Sequence, residues 1–151
     1  MKRILVLLLS VLLSAGAVEA QTATDSVKAT IDKMFRAMRM ADSTMFKEAM
    51  ADSAIMQTVV RDRSGENFVR TENTAAFARF ISTIPKDAAD ERITYDVIRI
   101  DGPLAIVWTP YKFYLNGQFS HCGVNSFQLV RQKGGWKIQY IIDTRRKQPC
   151  E

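Results

Sequence analysis

His121 and Cys122 stand side by side in the stretch SHCGVNSF, residues 120–127, and are the only histidine and one of the two cysteines in the chain. A thiol whose proton an imidazole can take is a nucleophile. A thiolate and an imidazole joined by one or two further ligands can hold zinc. The residue supply argues against zinc, because one histidine and two widely spaced cysteines do not make a set of three or four ligands. No metal site is expected. No cofactor is expected either: Gly134 and Gly135 sit in a hairpin signal and do not open a phosphate-binding helix. Nucleophilic chemistry depends on the strand. Successive side chains of a strand point to opposite faces, so His121 is expected on one face and Cys122 on the other. A bulge, for which Gly123 leaves room, is the alternative. Cys122 is then available to Cys150. The loop they enclose is roughly 30 residues, and chain entropy makes such a bridge worth about 3–4 kcal/mol. The competing reading is a buried Cys122 and a free terminal Cys150.

One disulfide suits an exported chain, and the N-terminus reads as an export leader. Lys2 and Arg3 precede the apolar run 4–13, and Val18-Glu19-Ala20 places small residues where a signal peptidase requires them. Residues 1–20 are expected to be the signal peptide, with cleavage after Ala17 as the alternative, and residues 21–151 a single domain. The apolar run is shorter than the roughly 20 residues of a spanning helix, so no membrane association is expected after cleavage. The destination is the periplasm or the exterior. The full chain carries a net charge of +5, which loss of Lys2, Arg3 and Glu19 lowers by one. Its positive residues are scattered apart from Arg145-Arg146-Lys147. Nucleic-acid binding requires a denser basic face and is not expected.

The elements that must position these residues follow from hydrophobic periodicity. In SVKATIDKMFRAM, Val27, Ile31, Met34, Phe35 and Met38 fall on one helical face, with Thr24 or Asp25 as the cap. Asp42-Ser43 opens a second, shorter helix carrying Met45 and Phe46. The methionines read as adaptable core filler. AIMQTVVRDRSGENFVRT reads as a hairpin turning at Ser64-Gly65. A third helix follows, capped by Asn73, bearing Phe77, Phe80, Ile81 and Ile84, and stopped by Pro85. From Arg92 onward the chain predicts four antiparallel strands, turning at Asp101-Gly102-Pro103, Asn116-Gly117 and Lys133-Gly134-Gly135. Helices first and a meander last make an α+β fold.

Counting outward from these turns assigns the faces. Ile106, Trp108, His121, Asn125, Phe127, Leu129, Ile138 and Tyr140 are expected to face the helices. Val107, Tyr111, Phe113, Cys122, Val124, Ser126, Ile141 and Asp143 are expected outside, with Asp143 and Arg145 as an ordinary ion pair. That outer face is apolar enough to suggest a homodimer interface. A three-residue loop at 101–103 would place Asp96 inward beside Trp108; a two-residue loop would turn Tyr95 and Val97 inward instead.

This order of elements, and above all DGPLAIVWTPYKFYLNGQFSHCGVNSFQLVRQKGGWKIQYIIDTRR, resembles the nuclear transport factor 2-like superfamily, which includes SnoaL-like cyclases and ketosteroid isomerase. The chain looks like an exported bacterial subgroup. The resemblance implies a curved sheet wrapped around the N-terminal helices, a cystatin-like cone with an internal pocket at its open end, and frequent dimerisation through the outer sheet face. Ketosteroid isomerase uses an aspartate base with a tyrosine and a protonated acid. The first helix here has no tyrosine, so that constellation does not transfer. The expected function is binding of a small apolar or aromatic molecule by Trp108, Asn125, Phe127 and Tyr140. A general acid/base enzyme of isomerase, dehydratase or cyclase type, using His121 or Asp96, is the first alternative, and a non-catalytic dimeric accessory protein is the second.

Overall fold

The computed structural model describes residues 22–148 and 150. The expected leader, residues 1–20, lies outside the described residues. Helix α1 covers residues 22–40, so it already runs through the expected caps Thr24 and Asp25. It buries Val27, Ile31, Met34, Phe35 and Ala37. Helix α2, Ser43–Ala49, starts where the Asp42 carboxylate accepts a hydrogen bond from the Met45 amide at 2.8 Å. Helix α3, Thr74–Ile81, is capped in the same way by Asn73, whose side chain accepts from the Ala76 amide.

Among the described residues the strands form one sheet of seven: β1 Met50–Arg61, β2 Asn67–Glu72, β3 Ala89–Ile93, β4 Val97–Asp101, β5 Leu104–Leu115, β6 Gln118–Gln132 and β7 Gly135–Thr144. Their order is β2-β1-β7-β6-β5-β3, and β4 also pairs with β5. All pairings are antiparallel except β1 with β7. Helices pack on one face of this curved sheet, and Phe35 of α1 meets Phe127 of β6 edge to face at 6.1 Å. The α+β class is therefore as expected. The strand expected from Arg92 starts three residues earlier and breaks at 94–96, giving β3 and β4.

The faces are partly reversed, and two bulges explain how. Leu115 pairs with Gln118 across Asn116-Gly117, as expected. Tyr114 then pairs with Phe119 but Phe113 with His121, so Ser120 is an extra residue in β6. Trp108 consequently lies opposite Ser126, not Asn125, and Ile106 opposite Gln128. Both Trp108 and Ile106 point away from the helices and are exposed, while Ala105, Val107, Thr109 and Tyr111 are buried. A second slip makes Gln139 the extra residue in β7: Leu129 pairs with Ile138, but Gln128 pairs with Tyr140. The Gln139 amide donates to the Ser53 carbonyl at 3.0 Å, beside a matching irregularity in β1. Beyond it Ile141 and Asp143 turn inward and Tyr140 outward, the reverse of the expected facing.

The first turn also differs. Asp101 pairs with Leu104, so the loop is the two residues Gly102-Pro103, with Gly102 at φ +54°. Ile98 and Ile100 pack toward the core, whereas Asp96 and Val97 face outward. The end of β7 crosses β6 so closely at Gly123 that a Cβ there would stand 1.8 Å from the Thr144 carbonyl oxygen and 2.9 Å from the Tyr111 ring. Gly123→Ala should therefore cost about 3 kcal/mol through overpacking against backbone. Urea denaturation of the two proteins measures it.

Candidate functional site

A cavity of about 470 Å³ opens between the helices and the far end of the sheet. Its apolar wall comes from α1, α2 and α3 and from two strands opposite them, β1 and β7. Met34, Phe35 and Met38 extend from α1, Phe46 from α2, and Phe77 and Phe80 from α3; Met56 and Ile141 close the sheet side. Phe46 and Phe77 are in ring contact at 5.4 Å. These helix residues are the ones whose spacing predicts buried faces. The face is real, but its outer part lines a space instead of filling one.

The polar end is built where β3, β6 and β7 approach one another. Asp143 is buried and is the hub. Its Oδ1 accepts from the Thr58 hydroxyl at 2.5 Å and its Oδ2 from Arg145 Nε at 2.8 Å. The Arg145 guanidinium also donates to Thr58 Oγ1 at 3.2 Å. The Tyr111 hydroxyl sits between the Thr144 carbonyl, 2.9 Å away, and Asp143 Oδ2, 3.2 Å away. Burial, with the Asp143 charge beside it, raises the Tyr111 pKa, so the phenol stays a donor. Thr109, opposite Asn125 in register, has a buried hydroxyl without a hydrogen-bond partner among the described residues.

Asn125 ties this hub to a second acid. It pairs in register with Asp143, and its side-chain amide donates to Glu91 Oε1 at 2.8 Å. Glu91 faces the cavity and is only partly accessible. Its pKa is pushed up to about 7, chiefly by desolvation and further by the Asp143 charge; the Asn125 hydrogen bond and Arg145 oppose the rise. The carboxyl can therefore take or give a proton near neutral pH.

The residues singled out from sequence are distributed unevenly around this cavity. Asn125 lines it. His121 is on the same inward face, with its ring 5.7 Å from that of Tyr111 and 5.0 Å from that of Phe113, and Ser120 Oγ 3.0 Å from its Nδ1. It does not line the cavity, and burial and the Arg145 charge lower its pKa. Cys122 points to the other face and is bonded to Cys150, with 5.8 Å between their Cα atoms. The neighbours His121 and Cys122 are thus on opposite sides of the sheet. Phe127 is wholly buried in the core behind the cavity. Tyr140, turned outward by the bulge at Gln139, donates to Gln57 Oε1 at 2.7 Å. Asp96 and Trp108 do lie together, but in a shallow cleft on the outer face with Val97, Ile106 and Ser126. Trp108, Phe127, Tyr140 and Asp96 are therefore not cavity residues.

Glu91 is the principal residue that sequence reasoning misses. Starting the strand at Arg92 leaves Glu91 in a loop; starting it at Ala89 puts Ala89, Glu91 and Ile93 on one inward-facing row, where an acid stands out. Thr58 and Arg145 escape notice as cavity residues because nothing local shows that β1 lies parallel to β7. Among the described residues no group of three or more His, Cys, Asp or Glu is arranged to hold a metal ion.

Solved structures share this architecture along most of their length. An NTF2-like protein with a cystatin-like fold from Novosphingobium aromaticivorans superposes with a TM-score of 0.66 at 13% identity, over 87% of this chain and 86% of its own. NTF2-like proteins of unknown function from Shewanella baltica and Methylobacillus flagellatus give 0.62 and 0.61, at 15% and 17% identity. They cover 83% and 82% of this chain and 94% and 91% of their own. The chain has the NTF2-like, cystatin-like fold. No family model and no curated protein matches its sequence. At these identities the NTF2-like likeness speaks for the fold and leaves the chemistry to the side chains.

The raised pKa of Glu91 has a thermodynamic consequence. The folded state keeps this proton up to about pH 7, while the unfolded chain releases it near 4.5. The folded protein binds more protons between those values, so stability falls as pH rises through that window. Glu91→Gln should remove this loss. The stability difference between variant and wild type should shift in favour of the variant by on the order of 3 kcal/mol from pH 4.5 to 7.5. Denaturant titrations of both proteins at the two pH values measure it.

Proposed function

We propose that this chain binds a small molecule with a mostly apolar body and one polar end, held in the cavity between the helices and the sheet. The observation that carries this reading is a cavity of about 470 Å³ whose phenylalanine and methionine wall ends in Glu91, Asn125, Asp143 and Arg145. A pocket of that size suits a ligand of several tens of atoms or fewer, and a few convergent polar groups in an apolar wall are what orients one. The ligand residues are Phe35, Phe46, Phe77 and Phe80 for the body and Glu91 and Asn125 for the polar end. Ala76 also lines the cavity and is an exposed residue. Ala76→Trp should occupy the space without touching the core. Native mass spectrometry of protein purified from its own host should find a bound small molecule in wild type and none in the variant. An empty wild type with a full-strength fold would sink the reading.

A second reading is supported by Glu91: a general acid/base enzyme of isomerase, dehydratase or cyclase type. A carboxyl titrating near neutrality inside an apolar cavity is suited to proton transfer. Glu91 replaces His121 and Asp96 as the proton carrier in this reading, because neither of them lines the cavity.

The export leader read at residues 1–20, the Cys122–Cys150 disulfide, and the lack of a helix long and apolar enough to cross a membrane among the described residues support a periplasmic or secreted location. The outward face supports a homodimer. Val97, Leu104, Ile106 and Trp108 form an exposed apolar patch on it, each between 37% and 45% exposed. Trp108→Lys should halve the mass measured by size-exclusion chromatography with light scattering. A wild type already running as a monomer removes the dimer.

A further inference from the structure

The charges of the cavity do not balance, and the imbalance has a definite place. Among the described residues four ionisable side chains line it: Glu72, Glu91, Asp143 and Arg145. Glu72 is partly exposed and is paired with Arg70, 2.7 Å from its Nε. Asp143 is paired with Arg145. Glu91 is hydrogen-bonded only to a neutral amide, that of Asn125, and makes no ion pair among the described residues. It is thus the acid of the cavity without a counter-charge. Asp143 stands opposite Asn125 in register, so the amide that serves Glu91 belongs to the residue paired with the second acid.

We infer that the polar end of the ligand is a cation, a tertiary or quaternary ammonium on an apolar body, seated against the Glu91 carboxylate with phenylalanine faces around it. This rests on the reading of the cavity as a ligand site and names the ligand's chemical class. The wall is suited to it. Phe35, Phe46, Phe77 and Phe80 line it, and aromatic rings attract an ammonium group over their faces; Met34, Met38 and Met56 add polarisable surface. An anion is disfavoured, because the one guanidinium present is already engaged by Asp143 and Thr58.

Binding of such a cation exchanges it for a proton: the Glu91 carboxylic acid loses its proton to solvent and the ammonium takes the place of the missing positive charge. The groups facing Glu91 from other elements do not obscure that exchange. Arg145 and Asp143 from the end of β7 stay paired with each other. Tyr111 of β5 has its pKa raised, and His121 of β6 has its own lowered. Glu91 also lines a second cleft with Asp32, Arg36 and Arg39 of α1 and Asp90 of β3; among the described residues neither arginine forms an ion pair with it, Arg39 being paired with Asp87, and Asp90 is paired with Arg92. Glu72 of β2 is paired with Arg70.

The test uses three probes on the mature protein by isothermal titration calorimetry between pH 6 and pH 8. They are benzyltrimethylammonium, its neutral tert-butyl isostere and the anion phenylacetate. The quaternary ammonium does not titrate, so any pH dependence belongs to the protein. The expected result is preference for the ammonium, an apparent affinity rising about tenfold from pH 6 to pH 8, and loss of that rise in Glu91→Gln. The rise is about tenfold because a carboxyl with a pKa near 7 goes from roughly one-tenth to nine-tenths ionised over that interval. Equal or better binding of the isostere or of phenylacetate overturns the cation and leaves the ligand site standing. Failure of all three probes overturns both. If Glu91→Gln does not fold, the wild-type pH series decides, since a flat response for the ammonium contradicts the exchange.

Discussion

A residue inserted into one strand of an antiparallel pair reverses the facing of everything beyond it, because side chains alternate with a period of two. This chain does so twice, at Ser120 in β6 and at Gln139 in β7. The first insertion turns Val107, Thr109 and Tyr111 toward the helices and Trp108 away from them. The second turns Ile141 and Asp143 inward. Without both, Tyr111, Asn125 and Asp143 would not share a face, and the polar end of the cavity would be split across the sheet. The bulge in β7 is itself held by Gln139, whose amide satisfies the Ser53 carbonyl where β1 is irregular too.

The close crossing at Gly123 serves the same end. The strand termini meet there with the Thr144 carbonyl against the glycine, so the Tyr111 hydroxyl can reach both that carbonyl and Asp143. On the other side of the sheet Cys122 holds Cys150, and paired backbone hydrogen bonds join Cys122 to Arg146. The segment carrying Arg145 is thus fastened just beyond the ion pair it supplies to the cavity. A buried hub of Asp143, Arg145, Thr58 and Tyr111 is costly to assemble, since each group loses water. It is tolerable because Asp143 receives donors from three different strands or their ends. Glu91 has no such compensation, and that is why its ionisation is displaced and why the cavity is left short of one positive charge.

The features legible in the amino-acid sequence are those that depend on local chemistry. The caps Asp42 and Asn73, the helical faces of Val27, Ile31 and Phe46, and the Asn116-Gly117 turn follow from side chains acting within a few residues. The opposite facing of His121 and Cys122 also survives, because the bulge falls just before the pair and not between them. The ligand residues are another matter. Trp108 and Tyr140 are large and aromatic, and their facing comes from counting along the strands; each count crosses an insertion that leaves no mark in composition. Glu91 escapes because its strand begins earlier than its apolar residues suggest.

What the sequence alone determined, then, is the order of helices and strands, the α+β class, the meander that follows Pro85, and a cysteine pair placed to close the C-terminal tail. Period, capping and turn chemistry act over a few residues and can be read from them. The tertiary structure decided which face each strand presents, that β1 runs parallel beside β7, and that Thr58, Glu91, Asn125, Asp143 and Arg145 meet. Those are choices of register between distant segments. They are made by the fit of whole strands against the helices and by the hydrogen bonds that stabilise each bulge, and no short stretch of residues contains them.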